Sequence, residues 1–179
     1  YGEFNTSNSE TRNFFGVNGD EQINFDQYSP SGGPTEGNTT IPTNEWHYVS
    51  YAQNGVNWWT YLDGRLDNSG ADAETYSGNT PNKSWIGARA VASGIYSGSG
   101  FLGKIDELRL YNRSLSAGEI YRLYKLTRTK VNVSTNTLTS GLVGHWTFDG
   151  ADTNFTTNTV ADKSGQGNNG TMINMYTST

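Results

Sequence analysis

One stretch constrains the fold more than any other. Trp46-His47-Tyr48-Val49-Ser50-Tyr51-Ala52-Gln53 runs into Asn54-Gly55, and then into Val56-Asn57-Trp58-Trp59-Thr60-Tyr61-Leu62. Two runs rich in aromatic and β-branched residues on either side of Asn-Gly predict a β-hairpin with a type I′ turn, since Asn and Gly tolerate the positive φ that this turn demands. Asp63-Gly64 predicts a second reversal into Arg65-Leu66, and so an antiparallel meander. Such a sheet buries one face and needs a second layer over it. Rings supply that core: only 33% of the residues are hydrophobic, yet 13% are aromatic, with 11 Tyr, 7 Phe and 5 Trp. Disordered chains are poor in such residues. With 22 Gly to make tight turns, the 179 residues predict an all-β, antiparallel sandwich.

Charge and composition exclude several classes. The 12 basic and 17 acidic residues give a net charge of −5, with no Lys/Arg stripe to follow a phosphate backbone. Nucleic acid is therefore not an expected partner. The absence of cysteine excludes disulfides, thiolate catalysis and cysteine metal sites. No apolar run is long enough to span a bilayer, so membrane insertion is not expected. No signal-peptide pattern opens the chain, and a secreted protein would be met here in mature form or as a fragment.

Further elements follow from local pattern. Residues 12–17 and 22–26 read as short strands, 30–44 as loop, 67–83 as polar loop, 84–88 as a strand and 91–100 as a Gly/Ser-rich loop. Residues 101–111 read as one long strand whose apolar phase changes between Ile105 and Leu108, as at a bulge or with burial on both faces. Ser116-Ala117-Gly118-Glu119 fits a capping box, and Ile120, Leu123 and Tyr124 share a face. This predicts one short helix, about 116–124, stabilised by docking on the sheets. Residues 127–140 are Thr/Ser/Asn-rich and read as a linker or an edge strand. Strand alternation resumes at Leu142, with Leu142, Gly144, Trp146 and Phe148 on one face. The loop from Asp162 to Gly170 then leads to a last strand candidate at 171–175.

Four of these segments resemble one family. They are Trp46-His47-Tyr48-Val49, Tyr61-Leu62-Asp63-Gly64, Trp85-Ile86-Gly87-Ala88-Arg89, and the run from Phe101-Leu102-Gly103-Lys104-Ile105-Asp106-Glu107-Leu108-Arg109-Leu110-Tyr111 through Asn112-Arg113-Ser114-Leu115-Ser116. Together they resemble the laminin-G-like, concanavalin-A-like jelly roll, and the closing strand with its capped helix is the most specific part. The resemblance covers most of 1–126 and implies the later two-thirds of such a jelly roll. Residues 141–179 resemble the family's beginning instead: Gly141-Leu142-Val143-Gly144-His145-Trp146-Thr147-Phe148-Asp149 is similar to its opening strand, and Asp162-Lys163-Ser164-Gly165-Gln166-Gly167-Asn168-Asn169-Gly170-Thr171 to the loop after it. This order fits a window cut from a tandem array, a permuted domain whose tail fills its own first-strand position, or a tail that fills that position in the next molecule. An opening strand without its sheet exposes a backbone edge together with Trp146 and Phe148, which favours strand completion, in cis or between subunits.

The resemblance also directs attention to candidate sites. Many laminin-G-like domains hold Ca²⁺, which takes several oxygen ligands. Asp106 and Glu107 lie on the closing strand and Asp149 ends the opening strand. First and last strands are neighbours in this fold, so these acids would converge in a completed sandwich, with Asp162 joining them. The alternative is that they are solvated or paired with Arg109 and Arg113. The loop is no EF-hand, since the twelfth position from Asp162 is Ile173. Trp58 and Trp59 point to opposite faces of a strand. One fills the core, and the other is a candidate platform for a sugar ring or a packing residue; Trp85 is a third candidate on the same terms. His47 and His145 read as ordinary strand residues. Asn-x-Ser/Thr triplets stand at Asn5, Asn38, Asn82, Asn112, Asn132, Asn154 and Asn169, and they permit glycosylation of a secreted chain.

The leading expectation is a non-enzymatic structural or adhesive module, extracellular or on a cell surface. Its partners would be copies of itself or tandem neighbours, joined head to tail by strand complementation through 141–149, a non-closing contact that builds a filament. The alternative is a carbohydrate-binding or cell-surface recognition domain, with glycans or surface proteins as partners and Ca²⁺ as the cofactor the family implies. Catalysis ranks last. Glycosidases need two carboxyls flanking the scissile bond, and the alternating Glu-x-Asp strand of the related glucanases is missing; Asp106 and Glu107 are adjacent and face opposite ways.

Overall fold

Strands form where aromatic and β-branched residues gather between Gly, Asn and Asp turns. In the computed structural model, which describes residues 13–27, 35–71, 86–91, 94–128 and 138–173, β1 (Asn13–Val17) and β2 (Ile23–Gln27) pair antiparallel with Phe15 opposite Phe25. A two-residue strand, β3 (Thr35–Glu36), adds to β2 inside the stretch expected to be loop.

The meander follows as β4 (Val49–Asn54), β5 (Asn57–Leu62) and β6 (Arg65–Ala71), in the order β4-β5-β6. Its first turn differs by one residue from the expected type I′ turn at Asn54-Gly55. Asn54 pairs with Asn57, so the loop is Gly55-Val56, and only Gly55 takes positive φ, at 59°. That is the II′ pattern, with Gly at the first central position. The I′ pattern occurs one reversal later, where Asp63 and Gly64 take φ of 50° and 72° between the paired Leu62 and Arg65.

β5 is the central strand, paired along both edges, and the adjacent Thr60 and Tyr61, which point to opposite faces, are both buried. Burial also raises the Tyr61 phenol above its ordinary pKa. Ile23 on β2 is fully buried, and Phe25 stacks on Tyr51 of β4 with ring centroids 3.7 Å apart. This contact layers the first sheet on the meander. Polar ties reinforce it: the Asp67 carboxylate accepts the N–H groups of Asn38 and Thr39, and the Asn68 amide donates to the Glu36 carbonyl.

Residues 91–100, expected to be a loop, instead form much of a hairpin of β7 (Ala88–Val91) and β8 (Gly94–Gly100). Ladder bonds use backbone groups that Gly and Ser retain, so weak side-chain propensity did not prevent pairing.

The chain divides into two compact units, Tyr1–Leu102 and Gly103–Thr179. In the second unit β9 (Leu108–Tyr111) is followed by α1 (Ala117–Arg128). The expected long strand begins only at Leu108, because Glu107 takes φ of 52°, outside the strand region. The capping box forms as expected: Glu119 accepts the Ser116 N–H, and the Ser116 hydroxyl accepts the Glu119 N–H. Arg113 also grips Glu119, and Ile120 and Leu123 are buried. With 12 residues the helix runs about three turns instead of two.

β10 (Leu142–Trp146) pairs antiparallel with β9 of its own chain, Trp146 opposite Leu108 and His145 opposite Arg109. The expected single face holds only for Gly144 and Trp146, which pair with Leu110 and Leu108: a bulge between Leu142 and Gly144 sets Leu142 opposite Tyr111 and so out of phase, and the strand closes before Phe148, which takes φ of 56°. Short strands β11 (Thr153–Asn154), β12 (Thr159–Val160) and β13 (Gly170–Thr171) form a second small sheet. The chain is thus mostly antiparallel β, a sandwich with one helix among the described residues. No helix among them is long and apolar enough to cross a membrane.

Candidate functional site

In the first unit the segment before β4 is pinned to the β5–β6 turn. Asp63 accepts the Tyr48 N–H at 3.0 Å and lies 3.0 Å from His47 Nδ1, and its own N–H donates to the Tyr48 carbonyl at 2.8 Å. Glu45 lies 3.5 Å from the other nitrogen of the same ring. The residue between them, Trp46, is 64% exposed. Trp46 thus presents a large apolar ring to water directly beside the residues that Asp63 holds, His47 and Tyr48.

The sequence had pointed to other tryptophans. Trp58 and Trp59 are both half-buried, and the Trp58 indole lies over Gly70 so closely that a methyl group there would come within 2.7 Å of the ring. Trp85 lies outside the described residues. The sequence pattern places Trp46 in a strand, whereas it stands ahead of β4, a boundary that the aromatic run does not mark. Both histidines also meet carboxylates, a pairing that linear spacing does not display.

In the second unit β10 is bonded along both edges. One edge pairs with β9. On the other, the His145 N–H donates to Asp162 at 2.9 Å, the Lys163 N–H donates to the His145 carbonyl at 2.8 Å, and the Asn168 amide donates to the Val143 carbonyl at 2.7 Å. Asp162 organises this loop by also accepting the N–H groups of Ser164 and Asn168 and the Ser164 hydroxyl. Burial pushes its carboxyl up, but the donors at Ser164, His145 and Asn168 outweigh burial and hold it at about 2. Trp146 donates from its indole N–H to the Asn168 carbonyl and folds over Gly144.

The four acids singled out for Ca²⁺ stand in different surroundings. Glu107 pairs with Arg109 and with His145 Nε2, and Asp162 caps its loop. Asp106 and Asp149 are exposed. Among the described residues no three His, Asp or Glu side chains gather as a metal would require. Ca²⁺ takes roughly 6–8 oxygens, backbone carbonyls and Asn side chains among them, and the described residues do not draw the four acids together into one such set.

A laminin-G-type family model, described as concanavalin A-like lectin/glucanases superfamily, matches residues 3–121. Among solved structures, a candidate carbohydrate binding protein from Bacteroides ovatus aligns with a TM-score of 0.59 at 18% identity, covering 83% of this chain and 39% of that one. The chain therefore spans about two fifths of that protein's length. An S-layer domain-containing protein from Clostridium thermocellum aligns with a TM-score of 0.39 at 18% identity, covering 69% of this chain and 67% of that one. No curated protein matches the sequence. At these identities the Bacteroides structure speaks for the fold. The family match takes in well over half the residues, from the first sheet into the capped helix, and the chain belongs to the concanavalin A-like lectin/glucanases superfamily as a laminin-G-type member.

Proposed function

We propose that this chain is a non-catalytic recognition module, extracellular or on a cell surface, that binds polysaccharide by stacking a sugar ring on Trp46. The observation that carries the reading is the 64% exposure of Trp46 two residues ahead of Tyr48, whose backbone N–H and carbonyl are both bonded to Asp63. A sugar ring has an apolar C–H face that suits an indole, and a pinned platform loses little freedom on binding. Membership of a lectin-like superfamily and the name of the Bacteroides neighbour support the same class of ligand. The non-catalytic part rests on the missing acidic strand and on Glu107, whose carboxylate is engaged by Arg109 and His145.

Self-assembly through β10 is the less favoured reading. Donating β10 to a neighbouring copy would break its ladder with β9 and its three bonds to the 162–168 loop, both already made within one chain. Completion in cis is the arrangement these bonds support.

Affinity electrophoresis against a panel of neutral and acidic polysaccharides tests the proposal. At least one should retard the chain, and Trp46→Ala should weaken that retardation by about tenfold. Failure of every polysaccharide to bind, or an unchanged affinity in Trp46→Ala, would overturn it.

A further inference from the structure

Four Asn-x-Ser/Thr triplets lie in the described residues, and the fold treats them differently. The Asn38 amide donates to the Asp67 carbonyl. Asn112 is bonded through its backbone to Gly141 and packs so near it that a methyl group there would come within 2.8 Å of Asn112 Oδ1. Asn169 accepts the Asp162 N–H, and the next two residues, Gly170 and Thr171, are paired in β13. Only Asn154 opens an exposed turn.

That turn spans 155–158, between β11 and β12, and each of its four residues is exposed. Asn154 Oδ1 accepts the N–H groups of Thr156 and Thr157 at 2.9 and 3.0 Å. This Asx turn bends the segment outward, polarises the carboxamide, and leaves its NH₂ without a partner among the described residues. The Thr156 hydroxyl is likewise unengaged among them. A turn that projects from short strands gives an enzyme access without opening the sheet.

We propose that Asn154 is the acceptor for an N-linked glycan in the folded chain. The donor is a polyprenyl-pyrophosphate-linked oligosaccharide, and an oligosaccharyltransferase supplies the catalysis. Asn154 Nδ2 forms a bond to the anomeric carbon as the bond from that carbon to the pyrophosphate oxygen breaks. The pyrophosphate leaves with the electron pair, and Nδ2 releases one of its two protons to a base of the transferase. The glycan would sit beside Phe155, which is 59% exposed at the same tip. This inference does not depend on the role of Trp46.

The test uses the full chain carrying Asn5→Gln, Asn82→Gln and Asn132→Gln, so that only the four described triplets remain. Folded protein is incubated with a purified single-subunit oligosaccharyltransferase and the lipid-linked donor, then measured by intact mass and peptide mapping. The expected result is a mass increase of one oligosaccharide, mapped to Asn154. Thr156→Ala should abolish it and Thr156→Ser should preserve it. A peptide spanning 150–160 serves as the unfolded reference. Modification of that peptide but not of the folded chain overturns the proposal, as does equal modification of Asn38, Asn112 or Asn169, or no modification of either substrate.

Discussion

Glu107 reaches across the β9–β10 pair to His145, its Oε2 lying 2.8 Å from the ring Nε2 while the same oxygen accepts from Arg109. The carboxylate is aimed there by a backbone at φ of 52°, a region that side chains other than Gly occupy at a cost. Glu107→Ala and Glu107→Gly both remove the shared acceptor, but only Gly relieves the backbone. Urea denaturation should therefore find Glu107→Gly more stable than Glu107→Ala by about 1 kcal/mol. Equal midpoints would mean that the positive φ is not retained in solution.

Gly144 lies beneath the Trp146 indole, where an added methyl group meets the ring face. Gly144→Ala should cost about 1–3 kcal/mol and shift tryptophan fluorescence to the red as the ring is displaced. Gly118, in the first turn of α1, has open space around it, and Gly118→Ala should stabilise the chain by roughly 0.4–1 kcal/mol. The opposite signs separate crowding from a general effect of replacing Gly.

Asp162 supplies one carboxylate to three backbone donors and a hydroxyl. Asp162→Ala should destabilise the chain by about 1–3 kcal/mol and speed hydrogen exchange at the His145 amide. An exchange rate at His145 equal to that of the unsubstituted chain would show that the loop does not protect this edge.

Acid should loosen the second unit at two points. The Arg113 side chain and the Ser116 donors lower Glu119 from 4.5 to about 2; Asp162 is lowered from 3.8 to about 2 because its hydrogen bonds outweigh burial. Both carboxyls bind protons less readily when folded, so their contribution is full above the unfolded values and fades as pH falls towards 2. Stability measured from pH 5 to pH 2 should decline, and the double variant Glu119→Gln, Asp162→Asn should show a shallower slope. An identical slope in that variant would assign the acid sensitivity elsewhere.

The parts legible in the sequence are those whose partners lie close along it. Ser116 and Glu119 satisfy each other three residues apart, so the helix start is written locally, and the Asp63-Gly64 turn needs only its own two residues. The first hairpin was legible in kind but not to the residue, because Asn54 and Gly55 each can occupy a central turn position and cross-strand packing chose between registers. The β7–β8 hairpin was invisible, since Gly and Ser give no alternating pattern while their backbones pair. The exposed Trp46 was missed for a related reason: exposure depends on where β4 begins, and aromatic runs read alike inside and just outside a strand. The His145–Glu107 pair joins residues 38 apart and emerges only once β9 and β10 are side by side.

That separation has a consequence for biogenesis. A ribosome releases Leu108–Tyr111 well before Leu142–Trp146, so β9 must wait, one edge bare, until the later segment emerges. Sheet closure of this non-local kind is slow compared with forming the adjacent helix. The nascent second unit therefore spends its most aggregation-prone interval with Leu108 and Leu110 unpaired, and synthesis of the last third of the chain sets when that interval ends.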